Sequence, residues 1–337
     1  MSEAADMTTM KAIVVREFGP LGTAKLEDMP VPEPKDGEVR IRVAAVAANF
    51  VDTLVMEGKY QFLPERPFSP GKLPVGTVDA VGAGVTRFSP GDRLLTMAEH
   101  GGYAEFVCVP ESQCFRLPDG LSFDDAASVS LAYDTAWVTL TDRARLAAGD
   151  TVLVLGATGA VGLAAIQLAK AKGARVLAGV TSPQKTDIVR QAGADEIVDL
   201  SVPDLRNGLR EQVHALTGGA GADIVLDPLG GDFFDAALRA VAWRGRLVVI
   251  GFASGRIPEV KANYLLLKNI EVSGVQVSDY RKRMPELMNE CFEDIFALCV
   301  AGRIRPAPVQ AYPLADYARA LEDLLGRKVT GRAILHP

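Results

Sequence analysis

The stretch VLVLGATGAVGLAAIQLAK, Val152 to Lys170, constrains this chain more than any other. It opens as an unbroken apolar run, the pattern of a strand buried on both faces, and closes as an Ala-rich segment with helical spacing. Three glycines, Gly156, Gly159 and Gly162, stand at the bend. The first permits a tight turn, the second leaves main-chain N–H groups open to an anion at a helix start, and the third lets helix and strand approach closely. Gly-rich turns also arise from packing alone, but this one follows a strand, opens a helix and begins a βαβ unit. That context points to a dinucleotide whose diphosphate is cradled by Gly156, Thr158, Gly159, Ala160, Val161 and Gly162.

The surrounding pattern changes near Tyr133. Before it, short β-branched runs such as KAIVVREFG, EVRIRVAAVAA, GTVDAVGAG, GDRLLTM and YAEFVCVP alternate with Pro- and Gly-rich connections, which predicts a β-rich module. After it, TVLVLG, ARVLAGV, EIVDL, ADIVLDP, RLVVIG and IEVSGV are separated by helical spacing, which predicts a doubly wound parallel sheet. The fold class is therefore α/β. The expected division is residues 1–133 as the first part of a β-rich domain, 134–276 as a Rossmann nucleotide domain and 277–337 as a return to the first. With 337 residues, 48% of them hydrophobic, the chain is long enough for two such cores.

The second strand of the parallel sheet addresses which dinucleotide binds. ARVLAGVTSPQK carries no acidic side chain for a ribose 2′-hydroxyl; Thr181, Ser182 and Lys185 stand where a 2′-phosphate would arrive. NADPH is therefore expected over NADH, although Ser182 also reads as a plain helix cap. The formal net charge of −6 offers no basic stripe for nucleic acid or anionic lipid. MSEAADMTTM lacks the features of a secretory signal and no apolar run is long enough to span a bilayer, so a cytoplasmic protein is expected. Cys108, Cys114, Cys291 and Cys299 lack metal-ligand spacing and read as reduced thiols.

Together with the glycine turn, the landmarks AANFVDTLVMEGKY, PFSPG, VGAGVTRFSPGDRL, GGYAEFVCVP, DTAWVTL, TGGAGADIVLDPLGG, VVIGFASG, NYLLLKNIEVSG and KVTGRAIL make a specific set. In these the chain resembles the medium-chain dehydrogenase/reductase superfamily, and within it the zinc-independent NADPH:quinone oxidoreductases, the zeta-crystallin-like group. The resemblance implies a GroES-like β-rich catalytic domain, a Rossmann domain, NADPH as cofactor, a small-molecule acceptor and a homodimer. It also speaks to the metal. Where zinc-dependent relatives carry a cysteine this chain resembles them with Asn49, and their Gly-His-Glu becomes Gly71, Lys72 and Leu73, so no metal ligand is expected. The four-cysteine lobe has no counterpart.

The implied activity is hydride transfer from NADPH to a quinone or other conjugated enone without a metal. Reduction of α,β-unsaturated acyl thioesters is the alternative, as is a non-catalytic NADPH-binding role of the crystallin or RNA-binding kind. By the same resemblance Tyr60 is the catalytic candidate, donating its phenolic proton to the developing oxyanion. Asn49 would lie near the nicotinamide ribose and Thr135 near the carboxamide. Phe252, Ala253, Ser254 and Val275 would face the cofactor cleft, and Arg332 replaces a more frequent lysine of the closing strand. Three departures make the acceptor pocket more aliphatic or alter its adenine end: Leu54, the pair Val277 and Ser278, and Leu200, expected as apolar cover for the adenine. Lys72 reads as a surface charge; Arg281 and Arg283, at the charged start of one long helix running to Cys299, read as a solvated rim, with attraction of an acidic substrate group as the alternative.

Overall fold

The computed structural model describes residues 8–337. The chain forms two compact units. One takes the chain up to Leu131 together with Arg281–Val300 and Pro306–Pro337; the other comprises Ala132–Tyr280 and Ala301–Arg305.

In the first unit the strands in chain order are β1 (Thr9–Val14), β2 (Lys25–Pro30), β3 (Glu38–Ala47), β4 (Val75–Val81), β5 (Arg93–Thr96), β6 (Phe106–Pro110) and β7 (Cys114–Arg116). The organiser is β3. Val39, Ile41, Val43 and Ala45 alternate inward, and Arg40 and Arg42 point outward to Asp79 and the Phe106 ring. β3 pairs antiparallel with β4 on one side and with β6 on the other. β1 and β2 form a separate antiparallel ribbon.

The second unit holds β8 (Thr151–Val154), β9 (Arg175–Val180), β10 (Glu196–Asp199), β11 (Ala222–Asp227), β12 (Val241–Val249) and β13 (Glu271–Gly274). Among the described residues these make one parallel sheet in the order β10-β9-β8-β11-β12-β13. The chain leaves β8 toward one edge and returns to β11 beside it, so the topological switch lies between β8 and β11. Val152, Leu153 and Val154 are buried, as a strand covered on both faces requires. The chain end supplies the first unit with β14 (Val309–Pro313) and β15 (Arg332–His336); β15 pairs with the C-terminal end of β3 at Ala47 and Val46.

Two details depart from the sequence pattern. The long helix expected from Val277 is two, Val277–Arg283 and Pro285–Val300, because Pro285 lacks an N–H to continue the first and suits the opening of the second. The edge strand expected over NIEVSGVQV is only the four residues of β13. Among the described residues no helix is long and apolar enough to cross a membrane.

Candidate functional site

The carboxyl edge of the parallel sheet collects most of the residues singled out in the second unit. β8 runs into Gly156, which takes φ +58, and Gly159 caps the helix Ala160–Ala171. The glycines differ in what they serve. A Cβ on Gly162 would stand 2.5 Å from the carbonyl oxygen of Gly156 and 2.7 Å from Cα of Ala157, so its absence is required by packing. A Cβ on Gly159 would meet protein no closer than 3.4 Å, at ordinary contact distance, and Gly159 is exposed. The room above Gly159 is therefore not used by the chain, and the first-turn N–H groups beneath it are those a helix leaves without carbonyl partners. This is a cradle that fits a diphosphate. Thr158, Ala160 and Val161 line it, half-buried.

The N–H of Ala157 donates to Gly179 O at 3.1 Å, tying this turn to the end of β9. There Thr181 and Lys185 are exposed, and the Ser182 hydroxyl donates to Gln184 Oε1 at 2.6 Å. Lys185 immediately precedes the helix Thr186–Gln191, and no carboxylate intervenes between Arg175 and Lys185. The edge thus offers two hydroxyls and one ammonium. Leu200 departs from expectation. It is buried in the hydrophobic core, with Cδ1 3.1 Å from where a Cβ on Gly179 would stand, so it presents little surface to an adenine.

Beside the glycine turn lies a residue that sequence reasoning passed over. Asp227 ends β11, fully buried, and its Oδ1 accepts from the N–H groups of Leu229 and Gly230, both at 2.9 Å. Oδ2 is buried with no hydrogen-bond partner among the described residues. Burial pushes this carboxyl up to about 6, the two N–H donors working against it. The turn it holds is the wall behind Gly156, whose Cβ would stand 3.1 Å from Leu229 Cδ2. The same turn accepts from the loop after β12: Ala253 N donates to Pro228 O at 3.1 Å and Ser254 N to Leu229 O at 2.9 Å. Phe252, Ala253 and Ser254 are exposed. Val275, just past β13, donates its N–H to Val249 O at 3.1 Å. Thr135 stands on a separate element, the helix Leu131–Val138, its hydroxyl 3.2 Å from Asp134 Oδ1.

In the first unit, Asn49 and Arg332 belong to a buried polar network with Asp52 and Tyr103. Asn49 follows β3 and caps the helix Phe50–Met56, its N–H donating to Asp52 Oδ2 at 2.8 Å. Its carboxamide is held at both ends: Nδ2 donates to Ala47 O at 2.9 Å and Oδ1 accepts from Arg332 Nη2 at 2.6 Å. Asp52 also accepts from the Tyr103 hydroxyl at 3.0 Å. Burial raises the Asp52 carboxyl to about 6, with the bonds from Asn49 and Tyr103 and the charges of Lys72 and Arg332 opposing.

Tyr60 lies past the end of that helix, half-buried, with the Lys72 ammonium 5.2 Å from its ring centroid. Here the structure corrects the sequence. Lys72 is not a surface charge; it is 3% exposed and ion-paired with Glu99. Arg281 is not a solvated rim residue; it is 2% exposed and its Nη1 donates to Glu99 Oε1 at 2.7 Å. Burial alone would push Glu99 up, but Arg281 and Lys72 outweigh it and hold the carboxyl at about 2. Nothing local marks these residues, because Glu99 lies 27 positions from Lys72 and 182 from Arg281.

The residues present do not fit a zinc ion. A carboxamide engaged at both ends and a buried ammonium stand at the two ligand positions singled out above, and among the described residues no three His, Cys, Asp or Glu side chains converge. All four cysteines are free thiols, and burial pushes Cys114 and Cys299 up to about 12.

Comparison with known proteins follows this division. Residues 35–119 match the family described as alcohol dehydrogenase GroES-like domain, and residues 160–293 the family described as zinc-binding dehydrogenase. The chain is 36% identical over 302 residues to a quinone oxidoreductase-like protein 2 homolog of Nematostella vectensis, covering 89% of this chain and 81% of that one. It is 35% identical over 329 residues to a quinone oxidoreductase of Pseudomonas aeruginosa, covering 97% and 99%. Among solved structures it resembles a mycobacterial protein complexed with NADPH, with 36% identity, a TM-score of 0.88 and coverage of 97% and 100%. The chain belongs to the quinone oxidoreductase branch of the medium-chain dehydrogenase/reductase superfamily.

Proposed function

We propose that this protein is an NADPH-dependent reductase that passes hydride to a quinone or other conjugated enone and works without a metal. The observation that carries the reading is the pairing of the Gly159 cradle, where a Cβ would meet protein no closer than 3.4 Å, with a β9 end that bears Thr181, Ser182 and Lys185 and no carboxylate. The N–H groups after Gly159 would hold the diphosphate, and Lys185 with the two hydroxyls would hold the 2′-phosphate by charge-assisted bonds. When bound, NADPH supplies the hydride. An acceptor that is already electron-poor needs no Lewis acid, only a donor for the negative charge that develops on its oxygen. Tyr60 fills that role, its hydroxyl carried on a ring held beside Lys72. Asn49, Arg332 and Thr135 would orient the nicotinamide half, with Phe252, Ala253, Ser254 and Val275 contributing backbone and apolar cover. The edge strand β13, paired only with β12 in this sheet, supports a homodimer formed by pairing two such edges.

The test follows NADPH absorbance with 1,2- and 1,4-quinones, simple enones and crotonyl-CoA as acceptors. Turnover with quinones or enones is expected. Turnover with crotonyl-CoA alone would move the substrate to acyl thioesters, and tight NADPH binding without any turnover would leave a binding protein. Lys185→Ala is expected to weaken NADPH about tenfold or more and leave NADH unchanged, since one charge-assisted bond is worth about 1.5–3 kcal/mol; an equal effect on both cofactors would refute the 2′-phosphate role.

A further inference from the structure

Lys72 is placed with more care than a salt bridge needs. The backbone on both sides of it lies in the left-handed region, Gly71 at φ +90 and Leu73 at φ +53. Leu73 is not a glycine, it is fully buried, and its N–H donates to Ala98 O at 2.9 Å. A leucine held there is strained, and strain of this kind persists where the surroundings fix it and clusters at functional positions. The Lys72 ammonium meets Glu99 and stands over the face of Tyr60. Glu99 does not belong to Lys72 alone, because its other oxygen accepts from Arg281.

We propose that Lys72 is a positioning residue for Tyr60: it holds the phenol by its ring face and stabilises the phenolate that Tyr60 becomes on giving up its proton. The inference rests on the reading of Tyr60 as proton donor. In that step the acceptor has taken a hydride, with its electron pair, from the reduced nicotinamide. The O–H bond of Tyr60 breaks, its electrons stay on the phenol oxygen, and the proton forms the O–H bond of the reduced acceptor. Water later returns a proton to Tyr60. A cation against the ring is attracted to the neutral phenol and more strongly to the phenolate, so its effect grows as the proton leaves.

The charged and titratable groups around the pair are Glu99, Arg281, His100 and Asp52 on the Lys72 side, with Tyr103 and Arg332 bearing on Asp52. On the Tyr60 side are the ion pair of Lys59 with Glu57 and Lys282, whose ammonium lies 4.7 Å from the ring centroid of Phe62. The Lys72 ammonium lies 5.2 Å from the centroid of the Tyr60 ring.

The experiment uses two readouts on the full-length protein. Tetranitromethane nitrates phenolates, so its rate at Tyr60, followed by peptide mass spectrometry without cofactor, reports the ease of forming that anion. Lys72→Met is expected to slow nitration at Tyr60 about tenfold, the effect of removing an opposite charge at this range. Lys72→Arg should restore most of the rate. A merely loosened structure would expose Tyr60 and speed the reaction. In turnover, Lys72→Met should lower kcat about tenfold, leave the KM for NADPH unchanged and alter the alkaline limb of the pH profile. Should Lys72→Met fail to fold, Lys72→Gln takes its place: it removes the charge, keeps a donor toward Glu99 and leaves the Glu99–Arg281 pair intact. Unchanged or faster nitration at Tyr60 overturns the proposal whatever the activity does. Absence of turnover with every acceptor sinks the reductase reading separately, since nitration is measured without acceptor or cofactor.

Discussion

Single side chains in this protein separate what packing demands from what is left for a ligand, and the glycines show it best. Gly162→Ala would drive a methyl into the backbone of Gly156 and Ala157, and is expected to destabilise by about 1–3 kcal/mol. Gly159→Ala meets no such obstacle; its φ of −77 suits alanine, so the variant should melt like the parent while its NADPH affinity falls at least tenfold. Thermal melts beside NADPH fluorescence titrations distinguish the two, and a Gly159→Ala variant with unaltered affinity would remove the diphosphate from this turn. Asp227 gives a pH signature. Its carboxyl at about 6 in the folded chain stands above the ordinary value of about 4, so the folded state holds the proton more tightly than the unfolded. That stabilisation is complete below about pH 4 and is lost as pH rises through 6. Asp227→Asn cannot titrate, so relative to the parent it should gain on the order of 2–3 kcal/mol between about pH 4 and pH 8. Denaturant unfolding at both pH values measures this, and an equal difference at each would contradict it. The glycines were legible in the sequence because turn, cap and close approach are local. Lys72, Glu99 and Arg281 were not, because their partners are brought by the fold from far along the chain.

At the scale of elements, legibility follows the source of each element's stability. β8 announces itself through its own apolar residues. β2, with the sequence KLEDMP, has no β-branched residue, and its strand character is imposed by pairing with β1 along its whole length. β7 and β14 are likewise short and set by their neighbours. Elements are also joined by side chains that no periodicity reveals. Lys268, at the end of the helix Ala262–Lys268, donates to the carbonyls of Arg239 at 2.8 Å and Val241 at 2.7 Å, closing the passage from the helix Gly231–Ala237 into β12. Lys268→Met would leave these carbonyls without their donor. It should cost about 2–3 kcal/mol in equilibrium unfolding while leaving the Tyr60 side of the molecule unaffected.

For the molecule as a whole, the order in which the chain serves its two units is the governing fact. The nucleotide-type sheet is drawn from one stretch, Ala132–Tyr280, with Ala301–Arg305 added; the other unit needs three separate stretches. A fragment ending at Leu131 lacks β14 and β15 and the helix Pro285–Val300, whose Met288, Phe292 and Ile295 are fully buried. It is expected not to fold cooperatively. The fragment 132–280 keeps all six strands of the parallel sheet and loses the bonds that Gln167 and Tyr133 make to Arg305 and that Arg303 makes to Ala171, so it should give dispersed amide resonances and a cooperative melt. Dispersed spectra from the first fragment, or none from the second, would contradict this division.

Because Ala132–Tyr280 is one continuous stretch of the sequence, the Gly159 cradle and Lys185 are inherited together, whereas Asn49, Tyr60, Lys72 and Arg332 lie before and after it in the chain. One recombination event spanning that stretch would move the residues proposed to select NADPH between relatives and leave the residues proposed for proton donation in place. Electron source and acceptor chemistry are thus free to evolve at different rates within one gene.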